Sequence, residues 1–369
     1  MRTIHLQSQK STLDLPLIIT TATLVILGLI MIYDASIVAA FRDFGDKLYY
    51  FKNQLIWATV GTIGLTVASL IDYHKFVRYS SPIFALSILL LIIVLIPNIG
   101  TKAYGAHRWI NVGNLTFQPS EFAKLALIFF QASILAKFQK YKMRLLDVVQ
   151  VIFLPTVIAT TLVLLEPDLG TALIFAGITT VTYFIGNGPL IHFAIAAPAL
   201  VAAATVAILA KPYRIARLKA FLDPAYDPQG ASYQINQILI SLKNGGLLGV
   251  GVGASRGKFD FIPEVHSDAI FSVVAEELGF IGAIFLIGLF VYLAIKTINI
   301  AKGAKDIEGK ILSAGILALI SVQALLNIAS NVALVPLTGI PLPFISYGGS
   351  SLVVTMIAIG ILVNIKKQS

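Results

Sequence analysis

Apolar residues run along this chain in long blocks, around 16–33, 55–71, 82–97, 121–137, 148–165, 168–186, 189–210, 270–298, 309–330 and 344–365. A hydrocarbon core about 30 Å thick takes roughly 20 helical residues to cross. The pattern therefore predicts an all-α polytopic membrane protein of about ten transmembrane helices, organised as a single membrane domain over 1–369. Two polar islands interrupt the blocks. One spans Pro97–Ser120, between the third and fourth helices. The other, a large loop at about 211–268 between helices 7 and 8, is dense in functional side chains and ends at Pro263-Glu264-Val265-His266-Ser267-Asp268.

Composition removes the soluble alternative, because 57% hydrophobic and 12% charged residues with a mean hydropathy of +0.87 cannot be hidden in a water-soluble core of 369 residues. The basic residues then orient the chain. With the N-terminus inside, the predicted cytoplasmic segments hold 14 Lys and Arg against 5 in the short outer loops, so both termini are expected in the cytoplasm and the large loop on the outer face. The net charge of +9 follows from this topology and from anionic head groups, and gives no reason to expect nucleic acid as a partner. No cysteine is present, which excludes a disulfide framework or thiolate metal site. The first block follows a basic N-terminus and is too long for a cleaved signal, so a retained anchor is expected.

Within the islands, residue types point to anionic chemistry. Pro119 suits the first turn of the fourth helix, which places Glu121 at the positive end of the helix dipole and Lys124 on the same face. Two readings of that pair stay open, a helix-internal ion pair and a polar wall of a substrate cavity. Arg108, Arg214 and Arg217 carry guanidinium forks suited to phosphate oxygens, with lipid phosphate attraction as the alternative. Asp268 is either a helix cap, together with Ser267, or a base at the membrane surface. Gln234, Glu264 and His266 are candidate substrate contacts. Glu276 and Glu277 lie in the eighth span, on different faces of an ideal wheel, and are expected to pair with other helices. The run Gly245–Gly253 lacks the Gly-Lys-Ser/Thr ending of a nucleotide loop and is read as close backbone packing or a re-entrant turn.

Taken together, these motifs resemble the SEDS family (shape, elongation, division and sporulation), the FtsW/RodA/SpoVE peptidoglycan glycosyltransferases of bacteria. The resemblance is carried by Tyr33-Asp34-Ala35-Ser36, Gly105-Ala106-His107-Arg108-Trp109-Ile110, Gln118-Pro119-Ser120-Glu121 with Lys124, and Glu166-Pro167-Asp168-Leu169-Gly170-Thr171. Farther along come Phe221-Leu222-Asp223-Pro224, the run ending in Asp268, Glu276-Glu277-Leu278-Gly279 and Leu342-Pro343-Phe344-Ile345-Ser346-Tyr347-Gly348-Gly349. Asp34-Ala35-Ser36 and the Gly249–Arg256 run look most like the division branch, whereas Thr338-Gly339-Ile340-Pro341 leans toward elongation, and sporulation members share the division-like features. The family usually reads His-Thr-Asp-Phe where this chain has His266-Ser267-Asp268-Ala269.

The resemblance implies a multi-pass protein of the bacterial cytoplasmic membrane that polymerises lipid II at the outer face, by an inverting transfer serving septal wall synthesis in division. Asp268 would be its catalytic base. Arg108, Glu121, Lys124, Arg214, Arg217, Gln234, Glu264 and His266 would bind substrate. No cofactor is required by the motifs, and no ligand spacing identifies a metal, although a divalent cation, magnesium or manganese, is compatible with them. The implied partners are a class B penicillin-binding protein and other division or elongation membrane proteins. A lipid II flippase and a non-catalytic division scaffold are the competing classes.

Overall fold

The computed structural model describes residues 14–97, 100–103, 106–112, 115–138, 144–255, 257–258 and 263–369. A helix occupies each of the predicted spans. These are α1 (Leu15–Phe44), α2 (Tyr49–Leu70), the short α3 (Tyr73–Arg78), α4 (Ser80–Leu95) and, after a small sheet, α5 (Pro119–Phe138). Next come α6 (Leu145–Val148) and α7 (Leu154–Leu165), joined through a π-helical turn at Val149–Phe153, then α8 (Leu169–Ile185) and α9 (Leu190–Leu209). Among the described residues, six helical stretches are long and apolar enough to cross a bilayer: Leu15–Phe44, Leu145–Leu165, Leu190–Leu209, Ile270–Gly303, Ile307–Asn331 and Gly349–Gln368. The chain is an all-α polytopic membrane fold.

Local chemistry sets the helix ends. Asp14 accepts from Leu17 N at the start of α1, and Gly45 closes that helix with a left-handed φ of 69°. Helix α1 runs to Phe44, eleven residues beyond the expected end at 33, because nothing in Asp34–Phe44 breaks a helix before Gly45. Pro119 does open α5, as the sequence predicts. Asp168 caps α8 through Thr171 N (2.9 Å).

Three features depart from the sequence reading. The first polar island folds as a three-stranded antiparallel sheet, β1 (Gly100–Ala103), β2 (Ala106–Val112) and β3 (Leu115–Phe117), in the order β1-β2-β3. The large loop contains two amphipathic helices, α10 (Pro212–Leu222) and α11 (Tyr233–Gly245). The last helix, α14 (Gly349–Gln368), starts five residues later than expected.

The eighth span, α12 (Ile270–Gly303), is broken at Gly279, where φ is 68° and ψ −169°. The glycine-rich run repairs the break. Val250 N and Gly251 N donate to the carbonyls of Glu276 (3.0 Å) and Glu277 (3.1 Å), while Phe280 N and Ile281 N donate to Gly246 (2.9 Å) and Leu247 (3.2 Å). Irregular backbone in such a place survives only when its polar groups are paired. A side chain on Gly249 would collide with the Glu277 carbonyl, which fixes glycine there. Close backbone packing, one of the two sequence readings, is what these contacts show.

The core is formed by α13 (Ile307–Asn331), α5, α8 and α14, whose inward faces are almost wholly buried. Helix α14 lies directly on α2, where Gly61 and Gly64 leave room for Met356 and Ile357. Helix α9 is the opposite case: none of its residues is buried within the chain.

Candidate functional site

Polar side chains converge where α5, α8 and α14 begin and α13 ends. There a cavity of about 80 Å³ is walled by Arg108, Trp109, Gln118, Glu121, Asp168, Thr171, Ser267, Gly339, Ile340, Pro341, Tyr347, Gly348 and Ser351. A larger open groove of about 510 Å³ runs along α11, but Lys243 is its only charged residue, and it holds no carboxylate and no arginine. The smaller cavity is where acids and guanidinium groups meet, which makes it the candidate site.

Asp268 adjoins this cavity through its neighbour Ser267. Its Oδ1 is buried without a hydrogen-bond partner. Its Oδ2 faces Gly339, where an added methyl would lie 3.8 Å from that oxygen and 3.6 Å from Arg217 Nη1. Burial pushes the carboxyl up to about 6, Arg217 opposes the rise and Glu264 adds to it. At neutral pH the group is mostly ionised yet more basic than an ordinary aspartate. The capping alternative does not hold, since the residue before α12 is Ala269 and neither Ser267 nor Asp268 makes a side-chain cap bond.

Three carboxamides on α13 hold this region, and the sequence reading did not single them out. Asn327 Nδ2 donates to the carbonyls of Asp268 (2.8 Å) and Ile340 (2.7 Å), and Asn331 Nδ2 donates to Asp268 O (2.7 Å). Gln323 Nε2 donates to Pro341 O (2.9 Å), and its Oε1 accepts from Lys124 Nζ (2.8 Å). The signal was available: Gln323, Asn327 and Asn331 recur every four residues, which puts three amides on one face of a membrane helix.

Lys124 also pairs with Glu121 at 2.8 Å, both fully or nearly buried. The helix-internal pair is therefore real, and Glu121 lines the cavity as well. Among the arginines, Arg108 lines the cavity and is fixed by the carbonyls of Glu166 (2.7 Å from Nε) and Pro167 (2.5 Å from Nη2). Arg217 faces Asp268 and donates to Leu337 O at 3.1 Å. Arg214 is buried behind Tyr213, bonded to that hydroxyl (2.9 Å) and to Ala207 O (2.6 Å), and is absent from the cavity wall. Tyr213 links the group by donating to Pro167 O (2.8 Å) with both guanidinium groups near its ring.

Glu166 has both carboxylate oxygens buried without partners, and burial, with a further push from Asp168, raises it to about 9. It is a neutral acid at pH 7. His266 packs its ring on Tyr50 (4.2 Å between centroids) and Tyr347 (5.6 Å), and burial lowers it to about 4. A neutral, aromatic-packed imidazole is a wall for the loop. Glu264 adopts a left-handed φ of 52° beside Gln234, whose amide reaches Pro263 O at 3.5 Å.

Glu276 and Glu277 converge, contrary to the wheel-based expectation. Ser255 Oγ donates to Glu276 (2.5 Å) and Ser255 N to Glu277 (3.1 Å). A wheel cannot describe them, because Asp268 precedes the helix and the glycine-rich loop reaches around the helix break to both. Among the described residues no group of three or more His, Asp and Glu stands ready to hold a metal ion.

Known proteins are similar to this chain over nearly its whole length. The stage V sporulation protein E of Bacillus subtilis is 38% identical over 366 residues, covering 98% of this chain and 99% of its own. A protein named probable peptidoglycan glycosyltransferase FtsW from Trichlorobacter lovleyi is 40% identical over 356 residues, covering 95% and 92%. Among solved structures, a chain of a peptidoglycan synthase complex that coordinates polymerization and crosslinking superposes with a TM-score of 0.78 at 26% identity, covering 97% of this chain and 98% of that one. The Thermus thermophilus rod shape determining protein RodA gives 0.71 at 25% identity, with 97% of both chains covered. The profile of the FtsW/RodA/SpoVE family, described as cell cycle protein, matches residues 15–369, and the chain belongs to that family.

Proposed function

We propose that this chain is a peptidoglycan glycosyltransferase that polymerises lipid II into glycan strands at the outer face of the bacterial cytoplasmic membrane. The reading is supported by relatives named for that activity and carried by one observation. Asp268 presents a carboxyl with one buried, unpartnered oxygen, beside Arg217 and a polar cavity. In the reaction an acceptor sugar hydroxyl attacks the anomeric carbon of the donor. The new C–O bond forms as the bond to polyprenyl pyrophosphate breaks, with inversion at that carbon. Asp268 takes the hydroxyl proton, and its raised affinity for a proton suits a base working near neutral pH.

Charge builds on the departing pyrophosphate. Arg217 beside Asp268 and Arg108 in the cavity wall are placed to meet it. Arg108 spends two N–H groups on backbone carbonyls, which aims the rest of its fork. Arg214 lies behind them and orients Tyr213. The cavity admits a small polar group only, so the sugars lie outside it, along Gln234 and Glu264.

Septal synthesis in division is the favoured role, with elongation or sporulation as alternatives within the family. The partner would be a class B penicillin-binding protein, in keeping with the synthase complex whose chain superposes on this one. Both termini would lie in the cytoplasm. The test is to purify the chain with its transpeptidase, supply lipid II, and follow glycan polymer and lipid II binding for the wild type and Asp268→Asn. Loss of a general base should cost about 10²–10⁴ in rate while binding persists. Polymer from both would remove Asp268 from the mechanism. Polymer from neither, with binding intact in a whole complex, would make a flippase or scaffold the better account.

A further inference from the structure

The break at Gly279 leaves Asp268 on a short piece of structure. Residues 270–278 form a half-helix that is not continuous with the longer helix beyond the glycine. Its start is held by Asn327 and Asn331 through the Asp268 carbonyl. Its far end is tied by the carbonyls of Glu276 and Glu277 to the glycine-rich run, and a further anchor must fix that run against the bundle.

That anchor is a buried cluster of charge. Lys258 Nζ lies 2.9 and 3.1 Å from the two oxygens of Asp34 on α1, 3.2 Å from Glu277 Oε1 at the end of the half-helix, and 2.6 Å from Gly253 O. Lys258 and Asp34 are each less than a tenth exposed, and Glu277 is 1% exposed. Ser255 N adds a bond to the same Glu277 oxygen. Along the chain Lys258 and Glu277 are 19 residues apart, with Asp268 midway between them. A buried cation shared by two carboxylates is costly to desolvate and serves geometry better than stability.

We infer that Lys258 is a positioning residue for Asp268: by tying Glu277 to Asp34 it pins the far end of the half-helix against α1 and so fixes where the Asp268 carboxyl points. The inference rests on the glycosyltransferase reading above. It adds that α1, which contributes nothing to the cavity wall, takes part in turnover through Asp34. If the pin is released, the half-helix swings and the carboxyl gains water. The groups that face that carboxyl, Arg217, Glu264 and Gln234, then act on it from new distances.

Three variants of the full chain, each purified with its transpeptidase, test this. Lys258→Met removes the cation and leaves two buried carboxylates without it. Asp34→Asn keeps Lys258 and Glu277 as a balanced pair but cuts the tie to α1. The combined Asp34→Asn, Lys258→Met and Glu277→Gln variant is free of charge at the cluster and does not depend on folding around an unpaired ion. For each, kcat and KM for lipid II, the acid limb of the kcat profile and the thermal unfolding temperature are measured.

The expected result is a kcat lowered about tenfold or more in Lys258→Met and in the neutral variant, and about threefold in Asp34→Asn. KM should stay within about twofold, and the acid limb should move from near pH 6 toward the ordinary aspartate range. A kcat that falls with an unmoved limb, in step with a lower unfolding temperature, would make the cluster structural and overturn the inference. So would a neutral variant with wild-type kcat and limb. If the wild type itself makes no polymer, the glycosyltransferase reading fails first and takes this inference with it.

Discussion

The two ends of the helix bundle bury their polar groups in opposite ways. At the end that carries the C-terminus, Asp306 caps α13 through Gly309 N (2.8 Å) and accepts from Tyr73 OH (2.7 Å), while His74 bridges Asp306 (2.9 Å) and Asp72 (2.7 Å). Tyr73 N reaches Asn364 on α14 at 2.9 Å. At the loop end, Asp268 Oδ1, His266 Nδ1, Arg214 Nη2 and both Glu166 oxygens are buried without a partner. The proton affinities of these bridged and unpartnered groups divide in the same way. Asp72 is lowered by its bond to His74. Asp306 is lowered although burial alone would raise it, and His74 is raised by the two aspartates although burial opposes it. Burial drives the loop-end groups the other way, raising Asp268 and Glu166 and lowering His266. Shifts of the first kind favour the charged form and add stability; shifts of the second kind subtract it. One end is built to hold, and the other keeps unsatisfied groups where a substrate can satisfy them.

The largest test of this contrast is at Asn327, which supports the loop end without itself being left unsatisfied. Asn327→Asp preserves shape but sets a buried carboxylate against the carbonyls of Asp268 and Ile340. It should cost about 3–5 kcal/mol, as an uncompensated buried charge does. Asn327→Ala, which orphans the Ile340 carbonyl and leaves Asn331 as the one amide on that of Asp268, should cost about 1–3 kcal/mol. Thermal unfolding of both variants measures the difference, and equal losses would mean that the amide protons are not what holds Asp268.

Glu166 gives an effect of the opposite sign. A carboxyl raised to about 9 costs stability that begins above its unfolded value near 4.5 and grows until pH passes the folded value. Glu166→Gln removes that cost and should stabilise the protein by on the order of 1–3 kcal/mol at pH 8, with little change at pH 5. Unfolding measured at the two pH values shows the sign. Destabilisation at both would mean that the acid has an internal partner and that the loop end is less strained than its geometry shows.

The contrast also explains which parts of the molecule were legible in the sequence. Hydropathy marked blocks that each hold a helix, because lipid exposure demands long apolar stretches whatever the tertiary contacts. Asp268, Arg108 and Arg217 were legible as charged residues at the membrane edge. Lys258 has no legible role in the sequence: its partners Asp34 and Glu277 lie 224 and 19 residues away, and no period relates them. The small sheet escaped because its strands are three to seven residues long, too short for an alternating pattern to stand out. Helical geometry failed at Glu277 for a local reason, since the broken helix and inserted loop replace the regular wheel there.

Asp268 allows two shifts of opposite sign on one group. Arg217 lowers the affinity of this carboxyl for a proton, and Glu264 raises it. Arg217→Gln should therefore move the acid limb of turnover upward from about 6, and Glu264→Gln should move it downward, each by on the order of half to one pH unit. Profiles of kcat against pH for the two variants decide the matter. Movement in the same direction would mean that both substitutions act by rearranging the loop and not through their charge.

The smallest effect is expected at the C-terminal end. His74 is about half exposed, so its bridge is screened and worth about 0.2–1 kcal/mol. Its raised affinity makes that contribution present in full below the unfolded histidine value near 6.5, fading as pH rises through the folded value. The lowered Asp72 and Asp306 make it fade again as pH falls below the unfolded aspartate value near 3.9. The stability difference between wild type and His74→Asn should thus be greatest between about pH 4 and 6.5, shrink at pH 8, and weaken with added salt. A difference that ignores pH and salt would assign the latch to neutral hydrogen bonds. The ends of the bundle would then differ in packing alone, and not in how each treats its charge.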